Sequence, residues 1–236
     1  MKVKILLAVL LVLVTGCSNI SFSNTECAII DDKTFTDSSG REISLEKPFT
    51  KIVTLYSAHT ENLYELDAGD LLIGTSSTSI YPPAASQLPR FDYKGDPEPL
   101  IAANPDLVII RPFIERNYSD YIKALEKAGL TVVSLYPDSQ DQFEAYIKIL
   151  GMLTGQEDLA NSKLEELGAK LEEIKTLSDT VSQKDRRTVF FESTKTSYRT
   201  VTIDSNPARA IEIAGGINIA SDAEPMTKGS TIAEYG

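Results

Sequence analysis

The chain has 236 residues, two cysteines, a single histidine and a formal net charge of −11. A surface this acidic repels nucleic acid and anionic lipid headgroups, so the composition argues against both as partners. The same acidity is also compatible with a role in solubility alone, and it does not determine the fold.

The first sixteen residues have the pattern of a signal peptide. Lys2 and Lys4 precede about ten apolar residues, which is the length of an h-region and is too short to cross a hydrocarbon core of roughly 30 Å. The following residues, 14–17, have the sequence Val-Thr-Gly-Cys, which resembles the bacterial lipobox. In a lipobox the cysteine is lipidated and becomes the mature N-terminus. We therefore predict that residues 1–16 are removed and that Cys17 anchors an exported protein to a membrane.

Residues 17–33 are predicted to form the tether between this anchor and the folded body, because residues 18–32 show no sustained periodicity. Once Cys17 is lipidated, Cys27 is the only remaining cysteine and no intrachain disulfide can form. We interpret Cys27 as a thiol within the tether.

Residues 34–140 read as an α/β lobe. A hairpin is predicted around Ser38-Ser39-Gly40, and apolar strands are predicted at 51–56, 71–75, 107–110 and 131–135. Segments with helical spacing at 61–66, 97–103 and 118–127 alternate with these strands. Such alternation, with strands that are apolar throughout, predicts a parallel sheet covered by helices on both faces.

Residues 141–178 are predicted to be helical, with a break at 154–156 and a long second piece that joins two lobes. A second α/β series then occupies 179–236, with strands at 188–191 and 200–203 and a helix at 208–214. About 50 residues are too few for a comparable core, so we expect this second lobe to be truncated. The predicted fold class is α/β, with two lobes of mainly parallel sheet.

Several motifs resemble those of the solute-binding lipoproteins of ABC importers, in the group that takes up siderophores, haem and cobalamin. The segment 66–74 is similar to the family's "LGAGDxLVG", and Glu98 followed by residues 101–109 is similar to its "ExIxALxPDLVI". The segment 213–220 matches its "AGGxNxA". Residues 111–115 and 150–155 look most like members that bind iron complexes.

The resemblance implies a monomeric binding protein that captures a ferric siderophore or haem and delivers it to an ABC permease with its ATPase. Cobalamin is the alternative ligand within the same family, and the resemblance implies no resident cofactor. It also implies that Glu98 faces the permease and docks into arginine pockets there. The sequence by itself favours the alternative that a glutamate between Pro97 and Pro99 is an exposed loop charge.

Ligands of open α/β sheets lie beyond the carboxyl ends of the strands, so residues just after each strand are the candidates for ligand contact. Tyrosine provides apolar area and a hydroxyl group, while arginine binds carboxylate or phosphate through two parallel hydrogen bonds. The predicted ligand-binding residues are Tyr56, Ser57, His59, Tyr81, Arg111 and Phe113 from the first lobe, and Glu192, Tyr198 and Arg199 from the second.

Two of these candidates have an alternative interpretation. Arg111 follows an apolar strand, where a cation is unusual for packing, but it can also extend into solvent at the sheet edge. His59 is the only histidine, which excludes a protein site of several imidazoles. It can ligate a metal already held in an organic complex, or it can be an ordinary polar side chain.

Two other functional classes compete with solute binding. An extracytoplasmic enzyme is disfavoured because the sequence has no Gly-x-Ser-x-Gly, P-loop or His-Glu-x-x-His motif. A surface adhesion module would lack a small-molecule pocket. We therefore predict a binding protein without catalytic residues.

Overall fold

The computed structural model describes residues 26–193, 199–227, 230 and 232–234, and it confirms the α/β class. Its helices are α1 (Ser57–Glu65), α2 (Glu98–Ala103), α3 (Pro112–Asn117), α4 (Ser119–Lys127), α5 (Gln140–Thr154), α6 (Glu157–Asp179) and α7 (Asn206–Ile213). Its strands are β1 (Ala28–Ile29), β2 (Thr34–Thr36), β3 (Glu42–Ser44), β4 (Ile52–Thr54), β5 (Leu72–Ser76), β6 (Arg90–Phe91), β7 (Leu107–Ile110), β8 (Thr131–Ser134), β9 (Thr188–Val189), β10 (Arg199–Val201), β11 (Ile217–Asn218) and β12 (Ile232–Glu234).

The central element is a five-stranded sheet in the order β6-β5-β4-β7-β8, and every pair in it is parallel. Strand β7 is buried along its whole length, because successive side chains enter cores on opposite faces of the sheet. Leu107 and Ile109 pack with α5, whereas Val108 and Ile110 pack with α3 and α4. The predicted apolar strands therefore form a parallel sheet that is covered on both faces.

The N-terminal strands β1, β2 and β3 form a small antiparallel sheet. Cys27 precedes β1 and is only 3% exposed, and its side chain belongs to the core cluster that includes α5. Burial raises the pKa of the Cys27 thiol to about 11. The interpretation of Cys27 as a thiol in a flexible tether is therefore wrong, because the chain is already packed against the body at this point.

Helices α5 and α6 form a hairpin that follows the predicted break. Gly155 ends α5 with φ +71°, a left-handed conformation that glycine adopts without strain. Gly151 permits close helix packing, because a Cβ there would lie 2.9 Å from the Cβ of Ala160. The 23 residues of α6 give a helix of roughly 35 Å that leads into the C-terminal elements.

The C-terminal elements are short. Strand β9 pairs with β11 in parallel, and β10 pairs with β12 antiparallel. Helix α7 lies against α6, and a Cβ on Gly215 would come within 2.9 Å of the Cβ of Ser178. Within the described residues no helix has the length and apolar character needed to span a membrane. The predicted signal peptide and Cys17 lie outside those residues.

Candidate functional site

The candidate site lies at the carboxyl edge of the five-stranded sheet. Tyr56 comes just after β4, Tyr81 is in the loop after β5, Arg111 follows β7 directly, and Tyr136 comes just after β8. Because these strands are parallel, their carboxyl ends meet at one edge of the sheet. Four neighbouring strands thus contribute side chains to this edge.

Arg111 is held against two aromatic rings. Its guanidinium carbon lies 4.5 Å from the ring centroid of Tyr56 and 4.8 Å from that of Phe113, both within the range of cation–π attraction. Among the described residues, no carboxylate or carbonyl group accepts a hydrogen bond from this guanidinium. Its in-plane N–H groups are therefore available to an external oxyanion, which they can bind through two hydrogen bonds.

Three tyrosines that the sequence analysis missed extend this group along the edge. The Tyr136 ring centroid is 6.3 Å from that of Tyr56, Tyr118 is 6.5 Å from Phe113, and Tyr93 is 4.9 Å from Tyr118. Tyr136 could have been found by the rule that identified Arg111, since it also comes just after a strand. Tyr93 and Tyr118 follow no predicted strand directly, so the sequence carries no comparable signal for them.

A small cavity of about 190 Å³ opens beside Arg111, and it is lined by Arg111, Pro112, Phe113, Arg116 and Tyr136. Burial raises the pKa of Tyr136, and the nearby Tyr56 and Asp138 act in the same direction. Tyr136 therefore stays a neutral phenol at physiological pH and can donate a hydrogen bond. The cavity combines a phenol with arginine side chains, a chemistry suited to an oxyanion.

His59 does not reach the surface of this site. It is 1% exposed, its Nε2 lies 3.1 Å from the carbonyl oxygen of Ile110, and its Nδ1 lies 2.9 Å from the hydroxyl of Tyr146. Burial lowers the pKa of His59 to about 4, so the imidazole is neutral. The structure therefore corrects the prediction that His59 contacts a ligand or its metal, because both ring nitrogens are already engaged.

The buried imidazole instead connects the elements that carry the site. His59 is on α1, which begins directly after Tyr56, and it donates a hydrogen bond to the peptide carbonyl that precedes Arg111. Asn62 donates to the Tyr146 hydroxyl at 3.1 Å, which ties α5 to the same network. Burial also raises the pKa of Tyr146. His59 is thus a positioning residue for Tyr56 and Arg111.

A second network fixes α3, the helix that carries Phe113. Arg41 pairs with the buried Asp37 at 2.9 Å, with Glu115 of α3 at 3.0 Å and with Glu126 of α4 at 3.1 Å. Asp37 also accepts a hydrogen bond from the backbone N–H of Ser134 at 3.0 Å. The N-terminal sheet is therefore joined to both helices and to β8.

The remaining first-lobe candidates lie at the same edge. Ser57 is the first residue of α1 and is half-buried. Tyr81 is 59% exposed, and its neighbour Ile80 is 76% exposed. Glu98 begins α2 and is exposed, and its backbone N–H donates to Asp96 at 3.0 Å.

The structure does not bring the second-lobe candidates into this group. Glu192 is exposed, and Arg199 lies in β10 opposite Glu234. Neither makes a hydrogen bond, ion pair or ring contact with Tyr56, Arg111 or Phe113 among the described residues. Tyr198 lies outside the described residues.

The described part of the chain contains no group of three or more histidine, cysteine, aspartate or glutamate side chains placed to hold a metal ion. Aromatic area and guanidinium groups dominate the candidate site, and these recognise organic and anionic groups rather than bare cations.

A family model described as "Periplasmic binding protein" matches residues 52–233. An uncharacterized ABC transporter substrate-binding lipoprotein of Bacillus subtilis is 30% identical over 162 residues, which are 67% of this chain and 51% of that protein. A vitamin B12-binding protein of Vibrio campbellii is 28% identical over 176 residues, covering 74% of this chain and 62% of that protein. The chain thus spans about half to three-fifths of the length of these relatives.

Two solved structures share the fold. A possible iron-binding (periplasmic solute-binding) protein from Staphylococcus epidermidis superposes with a TM-score of 0.69 at 23% identity, covering 80% of this chain and 72% of that one. The periplasmic haem-binding protein of Roseiflexus sp. RS-1 gives a TM-score of 0.63 at 19% identity, covering 80% of this chain and 71% of that one. At these identities the similarity concerns the fold alone.

Proposed function

The chain belongs to the periplasmic binding protein family, and from this premise we propose that it is an extracytoplasmic lipoprotein that captures an iron complex for an ABC permease. Membership of the family confirms the resemblance recognised in the sequence motifs. It also agrees with the prediction that the chain is a binding protein and not an enzyme. The proposed ligand is a ferric siderophore or haem, and Cys17 is the proposed lipid anchor.

The observation that carries the proposal is the Arg111 guanidinium held against the Tyr56 and Phe113 rings at the carboxyl edge of the sheet. Haem and many ferric siderophores combine flat or unsaturated groups with carboxylate or other anionic oxygens. Aromatic rings provide contact area for the former, and a guanidinium that has no acceptor among the described residues can bind the latter. Structural neighbours described as iron-binding and haem-binding share the fold that carries this edge.

Cobalamin is the second candidate ligand, because several curated relatives are described as vitamin B12-binding or cobalamin-binding proteins. A corrin ring would use the same aromatic area. It offers fewer anionic oxygens to Arg111, since most groups at its rim are amides, and this difference favours the iron complex.

Glu98 is proposed to contact the permease. Strand β6 is parallel to β5, so the loop after β6 leaves the sheet at its carboxyl edge and α2 begins on that side. Glu98 is therefore exposed on the same side of the sheet as the candidate site. An exposed carboxylate there can pair with arginine on a partner without a large desolvation cost.

The proposal is tested by an absorption spectrum and mass analysis of the full-length protein as purified from its source. A Soret band or a siderophore charge-transfer band is the expected result. A corrin spectrum would select the second candidate. A protein purified without any bound complex, and unable to bind haem, ferric siderophore or cobalamin when these are added, would overturn the proposal.

A further inference from the structure

The loop after β5 exposes two large apolar side chains at the carboxyl edge of the sheet. Ile80 is 76% exposed and Tyr81 is 59% exposed. Single exposed apolar side chains are common on protein surfaces and require no explanation. This pair differs because the backbone beside it is held by hydrogen bonds from buried hydroxyl groups and from Arg90.

A chain of hydrogen-bonded, buried hydroxyl groups supports the base of the loop. Thr54 Oγ1 lies 2.7 Å from Thr60 Oγ1, Thr60 Oγ1 lies 2.9 Å from Ser79 Oγ, and Ser79 Oγ lies 3.0 Å from Ser76 Oγ. All four residues are at most 2% exposed. Ser79 directly precedes Ile80, so this chain of hydroxyl groups reaches the residue next to the exposed pair.

Arg90, the first residue of β6, forms further hydrogen bonds to the loop. Its guanidinium donates to the carbonyl oxygen of Ser76 at 2.8 Å, to the carbonyl oxygen of Ser79, and to the hydroxyl of Thr75 at 3.3 Å. A loop fixed by this many hydrogen bonds has few conformations available. Its exposed side chains are therefore preorganised, which reduces the entropy lost when they bind a partner.

The loop is also connected to the candidate site. Thr60, which bonds to Ser79, is on α1, and its backbone N–H lies 3.4 Å from the carbonyl oxygen of Tyr56. The sheet order places β5 next to β4, and β4 next to β7. With neighbouring strands roughly 4.8 Å apart, the end of β5 and the end of β7 are separated by about 10 Å.

Three kinds of side chain therefore follow one another along this edge: an apolar pair after β5, an aromatic ring after β4 and a cation after β7. On the basis of the proposed function, we infer that the ligand is an amphipathic anion. Its apolar part lies against Ile80 and Tyr81 in the loop after β5, and its anionic oxygens lie on Arg111, which follows β7, two strands along the sheet. Arg90 is the residue that positions the apolar pair. A compact polar complex has no apolar part to place against Ile80 and Tyr81.

The test compares an amphipathic anion with a compact polar one. The dissociation constants of iron(III) protoporphyrin IX and of ferric citrate are measured for the wild-type protein and for Ile80→Ser, Arg90→Ala and Arg90→Lys. Ile30→Ser is the matched control, because Ile30 is a 53% exposed isoleucine on the N-terminal hairpin. Hydrogen exchange of residues 77–82 reports on the loop itself.

We expect Ile80→Ser to weaken porphyrin binding about tenfold, which corresponds to about 1.4 kcal/mol of lost apolar contact, and to leave any citrate binding unchanged. Arg90→Ala gives a similar loss together with faster exchange in the loop, Arg90→Lys gives a smaller loss, and Ile30→Ser gives none. Unchanged porphyrin affinity in Ile80→Ser and Arg90→Ala would overturn the inference, as would tighter binding of ferric citrate or cyanocobalamin than of the porphyrin. In those cases the proposed transport function is unaffected, whereas a wild-type protein that binds none of these complexes and no other ferric siderophore refutes both.

Discussion

The hydroxyl of Tyr146 lies 2.9 Å from Nδ1 of His59, and this buried pair fixes the tautomer of the chain's only histidine. The carbonyl of Ile110 can only accept, so Nε2 carries the proton and Nδ1 accepts the hydrogen bond of the tyrosine hydroxyl. The neutral imidazole thereby joins α1, β7 and α5 beneath the candidate site.

The tyrosine hydroxyl is the hydrogen-bond donor to the buried imidazole. Tyr146→Phe removes the donor to His59 Nδ1 and leaves that nitrogen buried without a partner, which should lower the free energy of unfolding by about 1–3 kcal/mol. Tyr121→Phe is the matched control, because Tyr121 is also buried but its hydroxyl has no hydrogen-bond partner among the described residues. Urea unfolding of both variants measures the difference. Equal losses of stability in the two variants would contradict this role for the network.

The stability of the folded chain should depend on pH through His59. The pKa of His59 in the folded chain is about 4, against 6.5 for a free histidine, so the unfolded chain binds a proton between these values that the folded chain does not. Stability contributed by the neutral imidazole is therefore complete above pH 6.5 and is lost as the pH falls toward 4. The expected loss between pH 7 and pH 5 is about 2 kcal/mol.

Because the chain has no other histidine, a His59→Gln variant isolates this effect. Glutamine does not titrate, so the variant should be less stable at pH 7 but should lose less further stability on acidification to pH 5. Thermal unfolding of both proteins across this pH range makes the comparison. Parallel stability curves for wild type and variant would show that His59 already titrates normally in the folded state.

Most of the first lobe was predictable because its strands are short apolar runs bounded by clear breaks. Strand β7 was predicted with the observed bounds, 107–110, and β8 was predicted one residue too long. A buried parallel strand needs apolar side chains on both faces, and this requirement leaves an unambiguous signal in the sequence. The turn between α5 and α6 was predicted correctly for a similar reason, since Gly155 marks the end of a helical pattern.

The environments of His59 and Cys27 were not predictable, because they depend on distant residues. His59 is buried by partners 51 and 87 positions away in the sequence, Ile110 and Tyr146. When these partners are not known, a histidine just after a predicted strand looks available for ligand binding. Cys27 is buried by its contact with α5, and its neighbours in sequence give no periodic pattern that would indicate a packed segment. In both cases tertiary packing decides the environment.

Alanine substitutions at two separate glycines, Gly74 and Gly168, test the packing of the central sheet. A Cβ on Gly74 in β5 would lie 2.2 Å from Cε2 of the buried Phe91 and 3.3 Å from the carbonyl oxygen of Pro89. We expect Gly74→Ala to destabilise the protein by about 1–3 kcal/mol through overpacking. Gly168→Ala in α6 meets no atom within 4 Å among the described residues outside the adjacent backbone of its own helix, and it should stabilise by up to about 1 kcal/mol. Opposite changes in melting temperature confirm the packing, whereas an unaffected Gly74→Ala variant contradicts it.

The proposed docking role of Glu98 predicts a separation of transport from binding. Glu98→Ala should reduce uptake of the complex in cells while leaving its dissociation constant unchanged, because the carboxylate is at the start of α2 and outside the aromatic group. Glu172→Ala is the control, as it removes an exposed carboxylate from α6. Uptake that is equal in both variants would remove Glu98 from the permease interface.

The central claim is that the Arg111 guanidinium, supported by Tyr56 and Phe113, receives the anionic oxygens of a metal complex. Titration of the complex found in the purified protein against wild type, Arg111→Ala and Arg111→Lys tests this most directly, with Lys123→Ala as a control for the loss of an exposed charge. We predict that Arg111→Ala weakens binding at least tenfold, consistent with a charge-assisted hydrogen bond worth about 1.5–3 kcal/mol. Arg111→Lys should restore only part of the affinity because it lacks the planar fork, and Lys123→Ala should bind as the wild type does. Wild-type affinity in Arg111→Ala would contradict the account.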